Sequence, residues 1–170
     1  GSRYWELSFL GQVYSFVAAG EWDEASAMTA ELPIDEWEQV RAAFSGSPFV
    51  HATLGVHRGA VDEARRFVDR FQAMESSADL QEQSAYQCAQ ARLLLAEGDA
   101  RLALATAEHA FSEHFNLGFA AETVKEAFVV AGEAALELGD HAKLEELLAG
   151  VEALPLGRRT RFLRAHASRF

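Results

Sequence analysis

The side chains best suited to chemistry here are a histidine pair, a lone cysteine and a set of carboxylates. In the stretch HAFSEH, His109 and Glu113 lie one helical turn apart, with His114 next, so the first two could face one ion. The zinc-protease spacings H-E-x-x-H and H-x-x-E-H do not occur there, and the pair is read as a solvated helix end. Cys88 can be drawn with His51 or His57 as nucleophile and base, yet nothing nearby supplies an oxyanion site or an orienting third group. A small buried thiol is the reading adopted. Glu126, Glu133, Glu137, Glu145 and Glu146 are carboxylates, but acid–base catalysis needs two in contrasting environments across a cleft. Their helical spacings predict an acidic face turned mostly to water. The phosphate cradles G-x-x-x-x-G-K-[ST] and G-x-G-x-x-G are absent. No catalytic residue, cofactor or metal is therefore expected, and the chain is not read as an enzyme.

Charge narrows the partners. The chain carries a net charge of −11, unevenly spread. Residues 1–156 hold ten basic and 26 acidic side chains, whereas 157–170 hold five arginines and no acid. An acidic body argues against nucleic acid, because a phosphate backbone needs a basic footprint. It suits a basic peptide, or a basic domain elsewhere in the same protein. Arg58, Arg65, Arg66 and Arg70 form a basic island with His57, read as pairing with Asp62, Glu63 and Asp69 within helical reach.

The remaining composition sets the class. Hydrophobic residues make up 49% of 170, with three prolines, which predicts a folded domain burying roughly 70% of its unfolded surface. A single cysteine forbids an internal disulfide and fits a cytoplasmic setting. No apolar run approaches the ~20 residues of a membrane span, so no membrane is expected. Gly1-Ser2 reads as a cloning remnant, and the chain as a piece excised from a larger protein.

The elements that must position these groups follow from one repeated pattern. In QCAQARLLLAEGDARLALATAEHAF, from Gln87 to Phe111, two apolar-faced helices meet at Gly98-Asp99. Gly98 can close the first in the left-handed conformation, and Asp99 can cap the second. Gly20, Gly59 and Gly139 have similar surroundings, at spacings of 39, 39 and 41 residues with Gly98. Seven positions before them stand Val13, Ala52, Ala91 and Gly132; five after stand Ala25, Ala64, Ala103 and Leu144. Small residues there let helix backbones approach closely. Such a period predicts a solenoid of antiparallel hairpins.

Along the chain, helices are predicted over about 3–19 and 21–32, then from Asp35 to Gly46. Ser47-Pro48 is a helix start, serine as cap and proline at the first position. Helices then follow over 60–74, 80–115 as the central hairpin, 120–138 and 141–153. From Arg158, RRTRFLRAHASRF predicts one more helix with Phe162, Leu163, Ala165 and Phe170 apolar. Residues 3–156 are thus the repeat domain, and 157–170 an arginine-rich terminal helix that caps it or begins a further unit.

On these residues the chain resembles the tetratricopeptide-repeat (TPR) family. The shared pattern is a small residue in the first helix, then Gly-Asp/Glu-x-x-x-Ala, then apolar residues four and seven further on, such as Val68 and Phe71 or Ala107 and Ala110. The units are about five residues longer than the 34 of that family. The first-helix aromatic survives only as Phe16, being Gly55, Leu94 and Ala135 elsewhere. The run from Leu144 to Phe170 is also similar to the helical-repeat tails of bacterial STAND-type ATPases, LuxR-type regulators and TPR-tailed nucleotide cyclases. The resemblance implies an all-α, right-handed superhelix of about four hairpins plus a terminal helix. It places Leu10, Tyr14, Phe49, Thr53, His57, Cys88, Arg92, Val129, Glu133 and Glu137 along a concave groove. The lysine and asparagine clamp of chaperone-binding TPR domains is missing, so a C-terminal carboxylate is not the expected ligand.

The implied function is a non-catalytic module that binds a protein or peptide, or senses one, within a larger bacterial signalling or transcription-regulatory protein. A small-molecule effector held inside the superhelix near Phe49, Tyr14 and Cys88 is the alternative. Self-association, as a homodimer through residues 157–170, is the second.

Overall fold

The computed structural model describes residues 12–30, 47–112, 114–118 and 121–170. Among them all regular structure is helical. In chain order the α-helices are α1 (12–19), α2 (Trp22–Ala30), α3 (Ser47–His57), α4 (Val61–Asp69), α5 (Leu80–Ala96), α6 (Ala100–Ser112), α7 (His114–Leu117), α8 (Glu122–Leu138), α9 (His141–Glu152) and α10 (Arg161–Ala167). The helix expected from Asp35 to Gly46, and Leu10 and Glu113, lie outside the described residues.

Four corners of this chain are built alike. Gly20, Gly59, Gly98 and Gly139 all have positive φ, between 67° and 88°. At each, the glycine N–H donates to the carbonyl three residues back: Val17, Val56, Leu95 and Leu136. The following N–H donates to the carbonyl five back: Phe16, Gly55, Leu94 and Ala135. These are the paired bonds of a Schellman ending, which satisfy carbonyls the helix leaves open. The next helix begins the same way four times, with Ala25, Ala64, Ala103 and Leu144 donating to the carbonyls of residues 21, 60, 99 and 140. Asp99 and Asp140 add side-chain caps, accepting from Leu102 and Lys143. Each turn is so short that its two helices must run antiparallel.

The small positions do what close approach requires. Val13, Ala52, Ala91, Gly132, Ala25, Ala64, Ala103 and Leu144 are all buried. A Cβ placed on Gly55 would stand 2.3 Å from that of Ala64, so α3 and α4 cross where a side chain cannot fit. Successive hairpins then stack through their first helices, α3 on α5 and α5 on α8, with α6 packed most extensively against α8. Three groups of apolar side chains fill the seams. One joins α3, α4 and α5 through Ala52, Val68, Met74 and Leu93. Another joins α6, α8, α9 and α10 through Leu104, Phe128, Leu147 and Leu163. The third gathers Val13, Ala25, Phe49, Val50 and Leu54 around Cys88, Ala110 and Ala127, so α1 reaches the fourth hairpin.

Two elements differ from the sequence reading. The helix expected over 60–74 stops at Asp69 and continues as a 3₁₀ turn, Gln72–Ser76. In that tighter turn residues three apart eclipse, which keeps Phe71 and Met74 together in the core. The terminal helix starts later, at Arg161, where the Thr160 hydroxyl accepts from the Leu163 N–H. It folds onto α8 and α9, with Leu163 fully buried and the Phe170 ring edge-on to Phe128. Gly132 makes room for that ring: a Cβ there would lie 2.5 Å from it. The last helix is therefore docked on the fourth hairpin.

Candidate functional site

The first helices of the hairpins bring polar groups to one place because each presents the same side to its neighbours. On α5 that side carries Cys88 and Arg92, one turn apart. Arg92 is 8% exposed, and its guanidinium donates to the Glu126 carboxylate of α8 at 2.7 Å. Burial holds the Glu126 carboxyl above its ordinary range, with Arg92 opposing that shift. The Nε of Arg92 is buried and has no hydrogen-bond partner among the described residues. Glu126 is thus not part of an acidic face turned to water, as its spacing suggested. Glu145 and Glu146 are exposed.

Around this pair stand most of the residues placed by the repeat register. The Tyr14 hydroxyl is raised by burial first and then by Glu126 and Glu122, while Arg92 lowers it. The Tyr14 ring lies 6.1 Å from that of Phe49. His57 is stacked on Trp22 at 4.6 Å, and burial followed by Arg92 lowers its pKa, with Glu133 opposing. Glu133 accepts from Arg169 at 2.6 Å, the terminal helix closing that end. His166 is lowered by burial and then by Arg169. Tyr14, His57, Cys88, Arg92 and Glu133 therefore share one electrostatic neighbourhood.

Other members of the set are placed differently. Phe49 and Val129 are core residues, 2% and 4% exposed, and Thr53 is buried with its hydroxyl donating to the Phe49 carbonyl. Glu137 is exposed near the end of α8, away from the buried pair. Cys88 is fully buried, and burial pushes its thiol up to about 12. That is the reverse of thiolate activation, which requires a depressed pKa. His109 is exposed, and no group of three or more His, Cys, Asp or Glu that could hold a metal is found among the described residues.

The basic island pairs across hairpins as well as within α4. Arg65 grips Glu97 at the third corner with two bonds, at 2.9 and 2.7 Å, and reaches Asp69 at 3.9 Å. Arg58 binds Asp23 of α2. Lys143 bridges α9 to Glu108 of α6 at 2.9 Å. These pairs link neighbouring hairpins at the rim, where solvent screens them.

The opposite side of α5 carries something the sequence reading missed. Between α4 with its 3₁₀ turn and α6, a groove of about 590 Å³ runs over Tyr86, Gln87, Gln90 and Leu94. Its walls are Asp69, Gln72 and Glu75 on one side, Leu102 and Thr106 on the other. The glutamines at 87 and 90, uncharged polar residues three apart and so on one side of the helix, were the available signal.

No protein-family model matches the chain, and no curated protein or solved structure matches it. Among the described residues no helix is long and apolar enough to cross a membrane.

Proposed function

We propose that the chain is a TPR-like, right-handed superhelix of about four hairpins that works as a non-catalytic interaction or sensor module. Its partner is a protein or peptide, or another domain of a larger bacterial signalling or transcription-regulatory protein in the cytoplasm. The observation that carries this reading is the four equivalent glycine corners with first helices stacked in order, α3 on α5 on α8. Repeated hairpins give an extended surface whose rigid elements bind without reorganising.

The alternatives are weaker. The interior place for an effector, near Phe49, Tyr14 and Cys88, is packed by Val13, Val50 and Leu54. The terminal helix that would mediate self-association has Leu163 buried against its own chain. A thermal-shift screen separates the classes: members of a random-peptide library should raise Tm, whereas a metabolite library should not. Stabilisation by metabolites alone favours the receptor, and turnover of any of them overturns the non-catalytic reading.

A further inference from the structure

The groove over the outer side of α5 combines three features that point to one kind of ligand. Tyr86 and Gln87 both line its floor. The Gln87 side-chain oxygen is turned into the protein without a hydrogen-bond partner among the described residues, which costs free energy until the side chain turns to meet a donor. The Tyr86 hydroxyl accepts from the Gln90 amide at 2.8 Å, and its own proton is left to give. Gln90 is itself held, because its oxygen accepts from Arg65. One peptide unit of an extended chain offers the matching N–H and C=O, whereas a helical segment has both engaged internally.

Charge and shape supply the rest. Asp69 and Glu75 stand exposed on one wall, and both act on the Tyr86 hydroxyl to keep its proton on, after burial. Glu75 has no ion-pair partner among the described residues, and Asp69 only the distant Arg65. On the other wall Leu102 is 50% exposed and offers an aliphatic surface to the groove. From Tyr86 to Leu94 the floor is about 12 Å long at 1.5 Å per residue. An extended chain of about four residues spans that distance.

We propose that this groove docks a short extended peptide segment carrying a basic side chain beside an aliphatic one. The basic group lies toward Glu75 and Asp69, the aliphatic group on Leu102, and the backbone between them pairs with Gln87 and Tyr86. This rests on the interaction-module reading and names the surface and chemistry it would use.

Titration of the isotope-labelled protein with Ac-Ala-Lys-Leu-Ala-NH₂, followed by amide chemical shifts, tests it. The basic peptide should move the Gln87 side-chain amide and the Leu102 and Thr106 backbone amides. Ac-Ala-Glu-Leu-Ala-NH₂ should bind at least tenfold more weakly, and the gap should narrow in high salt. Glu75→Lys, at an exposed position, should remove the preference, because the new lysine offsets Asp69. Gln87→Leu should weaken the basic peptide about fivefold. Equal binding of both peptides, no shifts with either, or shifts confined to Tyr14, His57 and Glu133 would overturn the proposal. Library peptides that still raise Tm after such a result would leave the interaction-module reading standing.

Discussion

The two sides of α5 solve opposite problems with similar residues. On the side of Cys88 and Arg92, both residues are buried and Arg92 takes its counter-charge, Glu126, from another hairpin. On the side of Gln87 and Gln90, roughly 100–160° around the same helix, polar residues line an open groove, and the Gln87 oxygen is buried without a donor. The repeat register pointed to the first side as the binding surface. The packing fills that side with Phe49, Val13 and Ala127 and leaves the second accessible. This stack of hairpins thus uses its inner polar residues to hold itself together, and the open seam lies where α4 and α6 part above α5.

Thiol labelling gives the largest contrast between the two sides. Cys88 is fully buried and its thiol is pushed up by that burial, so it holds far less thiolate near neutral pH than an exposed cysteine and is closed to reagent. Moving the single cysteine to the half-exposed groove wall, as Leu102→Cys with Cys88→Ser, should raise the labelling rate at least tenfold. Comparable rates would mean the inner side opens as readily as the groove, and the comparison would fail.

The buried ion pair is the next test. Arg92→Met leaves the Glu126 carboxylate enclosed without its counter-charge, which should cost about 3 kcal/mol in urea unfolding. Adding Glu126→Leu should recover most of that loss, because an apolar pair of similar volume also avoids the buried, unpaired Arg92 Nε. Single-variant losses below ~1 kcal/mol would place the pair with the exposed ones.

What the sequence made legible was local. A glycine followed by an acidic or small residue and, five positions on, a buried alanine or leucine specifies a left-handed corner within a few residues, so Gly20, Gly59, Gly98 and Gly139 were readable. So, among the described residues, were the helices on either side, except that α4 ends at Asp69 where a helix was expected to Met74. The ion pairs were not: Arg65 has Asp62, Glu63 and Asp69 nearby in sequence, yet its bidentate partner is Glu97, 32 residues away. Arg92 and Glu126 are 34 apart, and only the stacking distance between α5 and α8 joins them. The groove was illegible for the same reason, since it exists only where α4 and α6 part above α5.

Acidification should give the smallest effect and the sharpest sign. His57 and His166 both sit below their ordinary value of 6.5, through burial first and then the arginine charges beside them. Below pH 6.5 the unfolded chain therefore takes up protons before the folded one does, and stability falls as pH drops through that window. The His166 Nδ1 is buried with no partner among the described residues, so a proton there would have nothing to bond. Glu126 works the other way. Its carboxyl is raised above 4.5, so the folded chain binds the proton first, and stability is regained as pH falls toward that value. Urea midpoints between pH 7.5 and 4.5 should show the two trends partly cancelling. His57→Gln with His166→Gln should leave only the second, with stability rising on acidification. Because His57 is exposed, its share is reduced by screening and His166 carries more of the slope. A double variant whose curve runs parallel to the parent would remove both histidines from the inner cluster, and with them the charge balance that distinguishes this side of α5 from the groove.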